Sequence, residues 1–247
     1  MAWVVLSTSS LLDETTHDVK EGQDQLESMV RCSGYSLVNL PNIMRNSSSI
    51  SLATSPDNVN RYHSGGLTIS KSIRTGGCST VTGSRPTWYT YKYSSEVNYK
   101  IIASCVENYL KQRKSDKIAI LCDYAVSPKQ VKTLLTGDIV LYDAGVEKFA
   151  FDYKRHHYDT DIARQEEDLL KWISNGGILL THEKMFRGCE AETVVYISHF
   201  WANYGGVQLR SGVTRAVSNL CIIVADDGIK QDEIKRYFNV INVNVDV

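Results

Sequence analysis

The sequence lacks several features that would assign it to a broad class at once. No apolar run approaches the roughly 18 residues that a membrane span requires, and the start, MAWVVLSTSS, lacks the basic segment of a signal peptide. The 27 lysines and arginines nearly balance the 28 aspartates and glutamates, so the net charge is −1 and no global positive field attracts nucleic acid. We therefore expect a cytoplasmic or nuclear protein without membrane contact, in which any nucleic-acid site is local.

The six cysteines lack the spacing of a metal site. There is no Cys-x-x-Cys pair, and no histidine stands at metal-ligand spacing from a cysteine. Cys105, Cys122 and Cys221 lie inside apolar segments, where a reduced thiol behaves as a small apolar side chain. His156 and His157 are adjacent, so on a strand they would point in opposite directions, and a polar loop is favoured. We expect a reducing compartment and no metal site.

A phosphate loop is also missing. GGLTISKS, residues 65–72, comes nearest to G-x-x-x-x-G-K-[ST], but Ser70 replaces the second glycine and no buried strand precedes the segment. No Asp-Glu pair ends an apolar strand, where Mg²⁺ and the attacking water would be organised. The chain alone is therefore predicted to bind no cofactor and to hydrolyse no ATP.

Helix and strand patterns alternate from Glu96 onward. Apolar residues recur at helical spacing before the continuous run KIAILCDY, and SPKQVKTLL begins with a serine cap and an early proline. DIVLYDAG, GILLTH and ETVVYIS indicate buried strands, and TDIARQEEDLLKWISNGG indicates a helix that ends at Asn-Gly-Gly. A helix over residues 213–218 is predicted before the strand NLCIIVAD. This alternation predicts an α/β fold, a mostly parallel sheet with helices on both faces.

The first 95 residues are less regular. AWVVLS, YSLVNL and GGLTISKSI are typical of extended segments between Ser- and Gly-rich turns. PTWYTYKY alternates aromatic and polar residues, which favours a half-buried strand. The alternative is a platform on which bases stack, with Trp88 and Tyr91 as the candidates. We expect an irregular N-terminal extension over residues 1–35 and one domain over residues 36–247.

Two polar clusters beside predicted strands are the features of the sequence that most clearly indicate a function. RGCE, residues 187–190, lies between the runs GILLTH and ETVVYIS, and VTRA, residues 213–216, precedes another apolar run. In this order they resemble the last two motifs of superfamily 1 helicases, the UvrD/Rep-like and Schlafen-like enzymes. LPNIMRNSSSI resembles an earlier motif of the same family, with Arg45 as its arginine. The resemblance covers about residues 36–225 and implies the second, C-terminal RecA-like domain of such a motor, without its ATP-binding first domain.

The resemblance implies a nucleotide site formed with another domain. Arg215 and Arg45 would be its catalytic residues, because an always-protonated guanidinium that reaches in from a second domain can act as an arginine finger. Glu190 would contact the sugar, Gly188 would let the loop pass close, and Thr214 would complete the nucleotide-binding group. Arg45, Glu190 and Arg215 are then expected at the ends of neighbouring strands on one side of the sheet, where open α/β folds place ligands.

The resemblance also implies contacts to single-stranded nucleic acid. Counted back from Gly188, the family threonine falls on His182, and Thr181 is one residue upstream. Hydroxyl and backbone contacts to phosphate carry no sequence information, so binding would be independent of sequence. The candidate nucleic-acid-binding residues are Thr181, His182, Lys184 and Arg187.

Three functions remain open at this point. The first is a motor-type domain that needs a partner ATPase domain to supply the phosphate loop, and with it ATP and Mg²⁺. The second is a non-enzymatic pseudo-helicase module that binds nucleic acid or protein, self-association included. The third is an unrelated small-molecule α/β enzyme, because a fold does not determine a function.

Overall fold

A computed structural model of the chain describes residues 46–54, 83–112, 115, 117–123, 125–135, 141–144, 160–183, 185–186, 189–199, 212–226 and 230–243. The segments AWVVLS, YSLVNL and GGLTISKSI lie outside the described residues. The same holds for the histidine pair at positions 156 and 157.

The described ranges form one seven-stranded sheet with five helices. The strand order is β3-β4-β2-β5-β6-β1-β7, and every pairing between neighbours is parallel. The predicted mostly parallel α/β sheet is confirmed. In chain order the elements are α1 (Ser48–Ala53), β1 (Thr87–Lys92), α2 (Tyr99–Lys111), β2 (Lys117–Cys122), α3 (Pro128–Leu134), β3 (Leu141–Ala144), α4 (Thr160–Asn175), β4 (Gly177–His182), β5 (Ala191–Ser198), β6 (Ala216–Asp226), α5 (Gln231–Ile234) and β7 (Asn239–Val243).

Helices cover both faces of the sheet, as predicted. On the face that we call the α4 face, α1, α4 and α5 pack on the strands, while α2 and α3 pack on the opposite α2 face. β2 shows why the strands read as continuous apolar runs: Ala119 and Leu121 join the core of the α4 face, and Ile120 and Cys122 join that of the α2 face. A strand buried on both sides has no polar face, so strict alternation is lost.

The helix ends follow the local signals in the sequence. The Asn98 side chain accepts a hydrogen bond from the Ile101 amide at the start of α2. Ser127 accepts from the amide of Gln130 at the start of α3, where Pro128 is the first helical residue. Gly176 and Gly177, with φ of 74° and 93°, end α4, because this backbone conformation favours glycine.

The helix predicted over residues 213–218 is wrong. A helical turn covers only residues 212–213, and β6 begins at Ala216. From Ala216 onward the backbone pairs with β5 as a strand of the sheet, beginning with Ala216 opposite Ala191. On the other side the carbonyl of Val217 accepts a hydrogen bond of 2.8 Å from the amide of Ser47. Pairing with segments distant in the chain therefore overrides the helical spacing.

The prediction that β1 is half-buried is also wrong. Residues 87–91 are all buried, because β1 lies between β6 and β7 and carries core residues on both faces. Trp88 packs against Phe238 at 5.1 Å between ring centroids, and Trp88 and Tyr91 are 0% and 1% exposed. Neither ring can serve as a stacking platform for bases in this arrangement.

Candidate functional site

The site residues predicted from the sequence divide between two edges of the sheet. Because every strand runs in the same direction, all strand starts lie along one edge, the amino edge, and all strand ends lie along the other, the carboxyl edge. β5 has eight residues, so the two edges are roughly 23 Å apart at the rise of an extended strand.

The amino edge brings Glu190, Thr214 and Arg215 together. Glu190 directly precedes β5 and Arg215 directly precedes β6, the neighbouring strand. The amide of Ala191 donates to the carbonyl of Arg215 at 3.1 Å, which joins the two strand starts. Glu190 is exposed, whereas Thr214 and Arg215 are half-buried. The expected neighbourhood of Glu190 and Arg215 is therefore present, but at strand starts rather than at the strand ends where open α/β sheets place ligands.

The residue after Arg45 reaches the same edge. The side-chain amide of Asn46 donates to the carbonyl oxygens of Thr214 at 2.8 Å and of Ala216 at 2.5 Å. Asn46 is 2% exposed; its bond to Ala216 is buried and its bond to Thr214 is partly buried. The two acceptors belong to the residues on either side of Arg215. Arg45 itself lies outside the described residues, and so does Gly188.

Two cations, Arg215 and Lys117, and two carboxylates, Glu190 and Glu192, lie at the amino edge. Burial raises the pKa of the Cys189 thiol, while the positive charges of Arg215 and Lys117 act in the opposite direction. Lys117 is the first residue of β2, donates to the carbonyl of Ile173 at 3.1 Å and lies 4.8 Å from the Trp172 ring centroid. Cations and a carboxylate at one edge of the sheet are residue types that suit a phosphate and a sugar hydroxyl. Sequence reasoning missed Lys117, although its place at the start of KIAILCDY was visible.

The predicted nucleic-acid residues Thr181 and His182 are at the carboxyl edge and are buried. They are the last two residues of β4 and are 0% and 6% exposed. β4 is an inner strand, between β3 and β2, and the amide of Glu183 donates to the carbonyl of Cys122 at 3.1 Å. The prediction that both side chains contact a nucleic-acid strand is therefore wrong for this arrangement, because neither is presented to solvent. Lys184 and Arg187 lie outside the described residues.

The polar cluster between β4 and β5 belongs to a connection from one edge to the other. Backbone hydrogen bonds close turns in this connection. The amides of Met185 and Phe186 donate to the carbonyls of His182 and Glu183, and the amide of Cys189 donates to the carbonyl of Phe186. The Phe186 ring is fully buried on the α4 face, 5.4 Å from Trp172 between centroids. The described parts of residues 183–190 thus pass over the α4 face from the end of β4 to the start of β5. This crossing explains why two apolar runs are separated by polar residues.

A second group of buried polar residues at the carboxyl edge was missed from the sequence. Asp123 follows β2, is 1% exposed and accepts hydrogen bonds from Ser198 Oγ at 2.5 Å, the Ala125 amide at 2.9 Å and the His199 amide at 3.2 Å. Burial raises the pKa of Asp123 to about 6, against the effect of these donors. His199 Nδ1 lies 3.4 Å from the hydroxyl of Tyr91. Polar residues directly after the runs KIAILC and TVVYI were the signal that could have identified this group.

Neither a metal cluster nor a membrane helix occurs in the part of the chain that the structure describes. No three of its histidine, cysteine, aspartate or glutamate side chains are grouped so that they could hold a metal ion. None of its helices is long and apolar enough to cross a membrane.

No protein-family model and no curated protein matches this chain. Among solved structures, it is similar to the C-terminal domain of a possible DNA helicase from Lactobacillus plantarum WCFS1, at 12% identity and a TM-score of 0.42, over 79% of this chain and 97% of that one. It is also similar to the C-terminal domain of the DEAD-box protein Dbp5, at 11% identity and a TM-score of 0.38, over 66% of this chain and 92% of that one. The α/β assignment itself rests on the strand order and register described above.

Proposed function

We propose that this chain is the C-terminal RecA-like domain of a superfamily 1 helicase-like protein. On its own it is not an ATPase; it completes a nucleotide and nucleic-acid site with a partner domain. The partner supplies the phosphate loop, and through that loop ATP and Mg²⁺. The observation that carries the proposal is the meeting of three motif segments at the amino edge.

These segments are far apart in the chain. Asn46, next to Arg45, bonds to the carbonyls on either side of Arg215, 168 and 170 residues away in sequence. Glu190 is joined to the same place through the bond between Ala191 and Arg215. Glu190 and Arg215 are neighbours because each directly precedes one of two adjacent parallel strands. The informative part of the convergence is the Asn46 segment, which no strand pairing requires to be there. This convergence therefore supports a shared role.

The residue types at this edge fit a nucleotide. In the proposed complex, Arg215 and Arg45 bind phosphate oxygens, since a guanidinium is always charged and presents several donors. Glu190, exposed at the start of β5, accepts from the hydroxyls of the sugar. The bound nucleotide supplies the phosphoryl group, and the chemistry of its transfer depends on the partner's phosphate loop.

The proposed contacts to single-stranded nucleic acid come from Lys184 and Arg187. Both belong to the connection between β4 and β5, whose ends meet the two edges of the sheet. The buried Thr181 and His182 would act only by supporting the backbone at the end of β4. Binding through two cations to phosphate would be independent of sequence and sensitive to salt.

The experiment is a titration of the isotopically labelled chain with MgADP, followed by NMR. Without the partner's phosphate loop the chain should not retain the nucleotide, but high concentrations of MgADP should still shift the signals of the residues that this chain contributes to the site: Asn46, Glu190, Thr214 and Arg215. Arg215→Ala should abolish these shifts. The matched control is Arg236→Ala, which removes an exposed arginine that follows α5 and pairs with Glu233 at 3.3 Å. Shifts confined to the carboxyl edge, or a saturating titration that moves no amino-edge signal, would contradict the proposed nucleotide site.

A second candidate is the non-enzymatic interaction module. Two apolar side chains on α4, Leu170 and Ile173, are 62% and 42% exposed, and they lie one turn apart on the helix. Sedimentation velocity of the native chain and of Leu170→Ser/Ile173→Ser tests this alternative. Self-association that disappears in the double variant, together with no response to MgADP, would favour the module.

A further inference from the structure

A buried hydrogen bond joins the segment after β4 to the middle of the α4 face. The hydroxyl of Tyr196, on β5, donates to Oε2 of Glu183 at 3.0 Å. Tyr196 is 1% exposed and Glu183 is 7% exposed. Burial, and next the charge of Glu183, raise the pKa of Tyr196 well above its ordinary value, so its hydroxyl stays protonated and remains a donor.

The same tyrosine ring supports the turn that leads to Arg215. A Cβ atom placed on Gly212 would lie 2.4 Å and 2.5 Å from Cε2 and Cδ2 of Tyr196, and 3.6 Å from Oε2 of Glu183. The backbone at Gly212 therefore lies directly against the ring, where no side chain fits. The amide of Arg215 then donates to the carbonyl of Gly212 at 3.2 Å and closes the turn.

Two points of this turn are thus held by different parts of the molecule. The Asn46 amide binds the carbonyls of Thr214 and Ala216. The Tyr196 ring, which donates through its hydroxyl to Glu183, lies against Gly212. Asn46, Tyr196 and Gly212 are buried, so the turn has little freedom to change its position on the sheet.

We propose that Glu183 and Tyr196 are positioning residues that set the orientation of the turn carrying Arg215. The inference rests on the proposed function for the role of Arg215, but not for the coupling itself. Glu183 directly follows β4, beside the segment proposed to contact nucleic acid, whereas Arg215 is at the opposite edge. A displacement of the Glu183 carboxylate is therefore transmitted to Arg215 through the Tyr196 ring and Gly212.

Hydrogen exchange of the Arg215 amide, measured by NMR, tests the positioning. In Tyr196→Phe the ring remains but its orienting bond is lost, and we expect the Arg215 amide to exchange about tenfold faster relative to the Ile222 amide in the core of β6. Glu183→Ala should have the same effect. Glu183→Gln keeps an oxygen that accepts from the tyrosine hydroxyl, so it should restore near-native exchange. Tyr89→Phe, a buried tyrosine on the α2 face, is the matched control and should leave the ratio unchanged.

The ratio of the Arg215 and Ile222 rates separates local loosening from a general loss of stability. An unchanged ratio in Tyr196→Phe overturns the inference, and so does equal exchange in Glu183→Gln and Glu183→Ala. The MgADP titration, run on the same samples, tests the proposed function separately. If MgADP does not shift the NMR signal of Arg215 in the native chain, the proposed binding of a nucleotide by Arg215 is wrong. The exchange ratio still tests whether Glu183 and Tyr196 position Arg215. If both hold, Tyr196→Phe should bind MgADP several-fold more weakly than Tyr89→Phe.

Discussion

Asn46 and Thr214 are 168 residues apart in the chain, and the side-chain amide of Asn46 donates to the carbonyl oxygen of Thr214 at 2.8 Å. A second bond from the same amide reaches Ala216. The pair joins the segment that follows Arg45 to the segment that contains Arg215. The sequence resemblance predicts both arginines in one nucleotide site, and this contact is independent of that resemblance.

Asn46→Ala should lower the free energy of unfolding by about 1–3 kcal/mol, because both hydrogen bonds of a buried side-chain amide are lost. Urea unfolding at a fixed pH measures the change. Asn239→Ala, at an exposed position of β7, is the control and should change stability by less than about 0.5 kcal/mol. Equal effects of the two substitutions would show that the Asn46 bonds contribute nothing to stability.

The purified chain should hydrolyse no ATP above background, because its sequence has neither a phosphate loop nor an Asp-Glu pair at the end of an apolar strand, where Mg²⁺ would be organised. A coupled assay for released phosphate, with and without single-stranded DNA, measures the rate. Lys71→Ala is the informative variant, since Lys71 occupies the lysine position of the loop-like segment GGLTISKS. Turnover in the native chain that this substitution abolished would reverse the exclusion of a phosphate loop.

Binding to single-stranded nucleic acid should be weak, independent of sequence and strongly dependent on salt, because a chain of net charge −1 offers only a local basic patch. Fluorescence anisotropy of a labelled oligonucleotide across a salt series measures it. Lys184→Ala/Arg187→Ala should weaken binding and reduce the slope of log affinity against log salt by about 1–2.

The matched control for this pair is Lys235→Ala/Arg236→Ala, which removes two exposed cations after α5. Its slope should equal that of the native chain. Tight binding that responds to neither salt nor Lys184→Ala/Arg187→Ala would show that the contact residues are wrongly assigned. No binding at low salt would favour a protein-interaction module.

Stability should depend on pH through Asp123. Burial raises its pKa from an ordinary 3.8 to about 6, so the folded chain binds this proton more tightly than the unfolded chain does. The resulting stabilisation is fully present below pH 3.8 and is lost as pH rises through 6. The loss amounts to about 3 kcal/mol, from the free energy of a shift of this size.

Asp123→Asn isolates this effect because it removes the titrating group and leaves the others. Urea unfolding of both proteins between pH 4 and pH 7 gives the difference in their stabilities. As the pH falls, the free energy of unfolding of the native chain should rise relative to that of Asp123→Asn. A difference independent of pH would mean that Asp123 titrates alike in the folded and unfolded states.

The elements that were predicted correctly depend on neighbours in the sequence. KIAILC, GILLTH and TVVYIS are continuous apolar runs, and such runs form strands wherever a sheet is covered on both faces. The predicted serine cap at Ser127 accepts a bond from an amide three residues away. The elements α1, α5 and β7 were missed because they are short and have weak periodicity.

The wrong predictions concern residues whose surroundings come from distant parts of the chain. Trp88 and Tyr91 have the alternation of a half-buried strand, yet β7, which follows them by about 150 residues, pairs with β1 and completes their burial. Thr181 and His182 end an inner strand, so their polarity does not indicate exposure. Residues 213–218 have helical spacing, but β5 and Ser47 draw Ala216 and Val217 into extended pairing.

The sequence by itself determined that the chain alternates helices with buried strands, where several of them begin and end, and which polar clusters separate the strands. These properties follow from side-chain periodicity and from bonds that span three or four residues. Only the tertiary structure decided that Glu190 and Arg215 share the amino edge while Thr181 and His182 end at the other edge. It also decided that Tyr196 links Glu183 to Gly212. The physical reason is that strand order and direction are set by hydrogen bonds and packing between segments far apart in the chain, which no local pattern encodes.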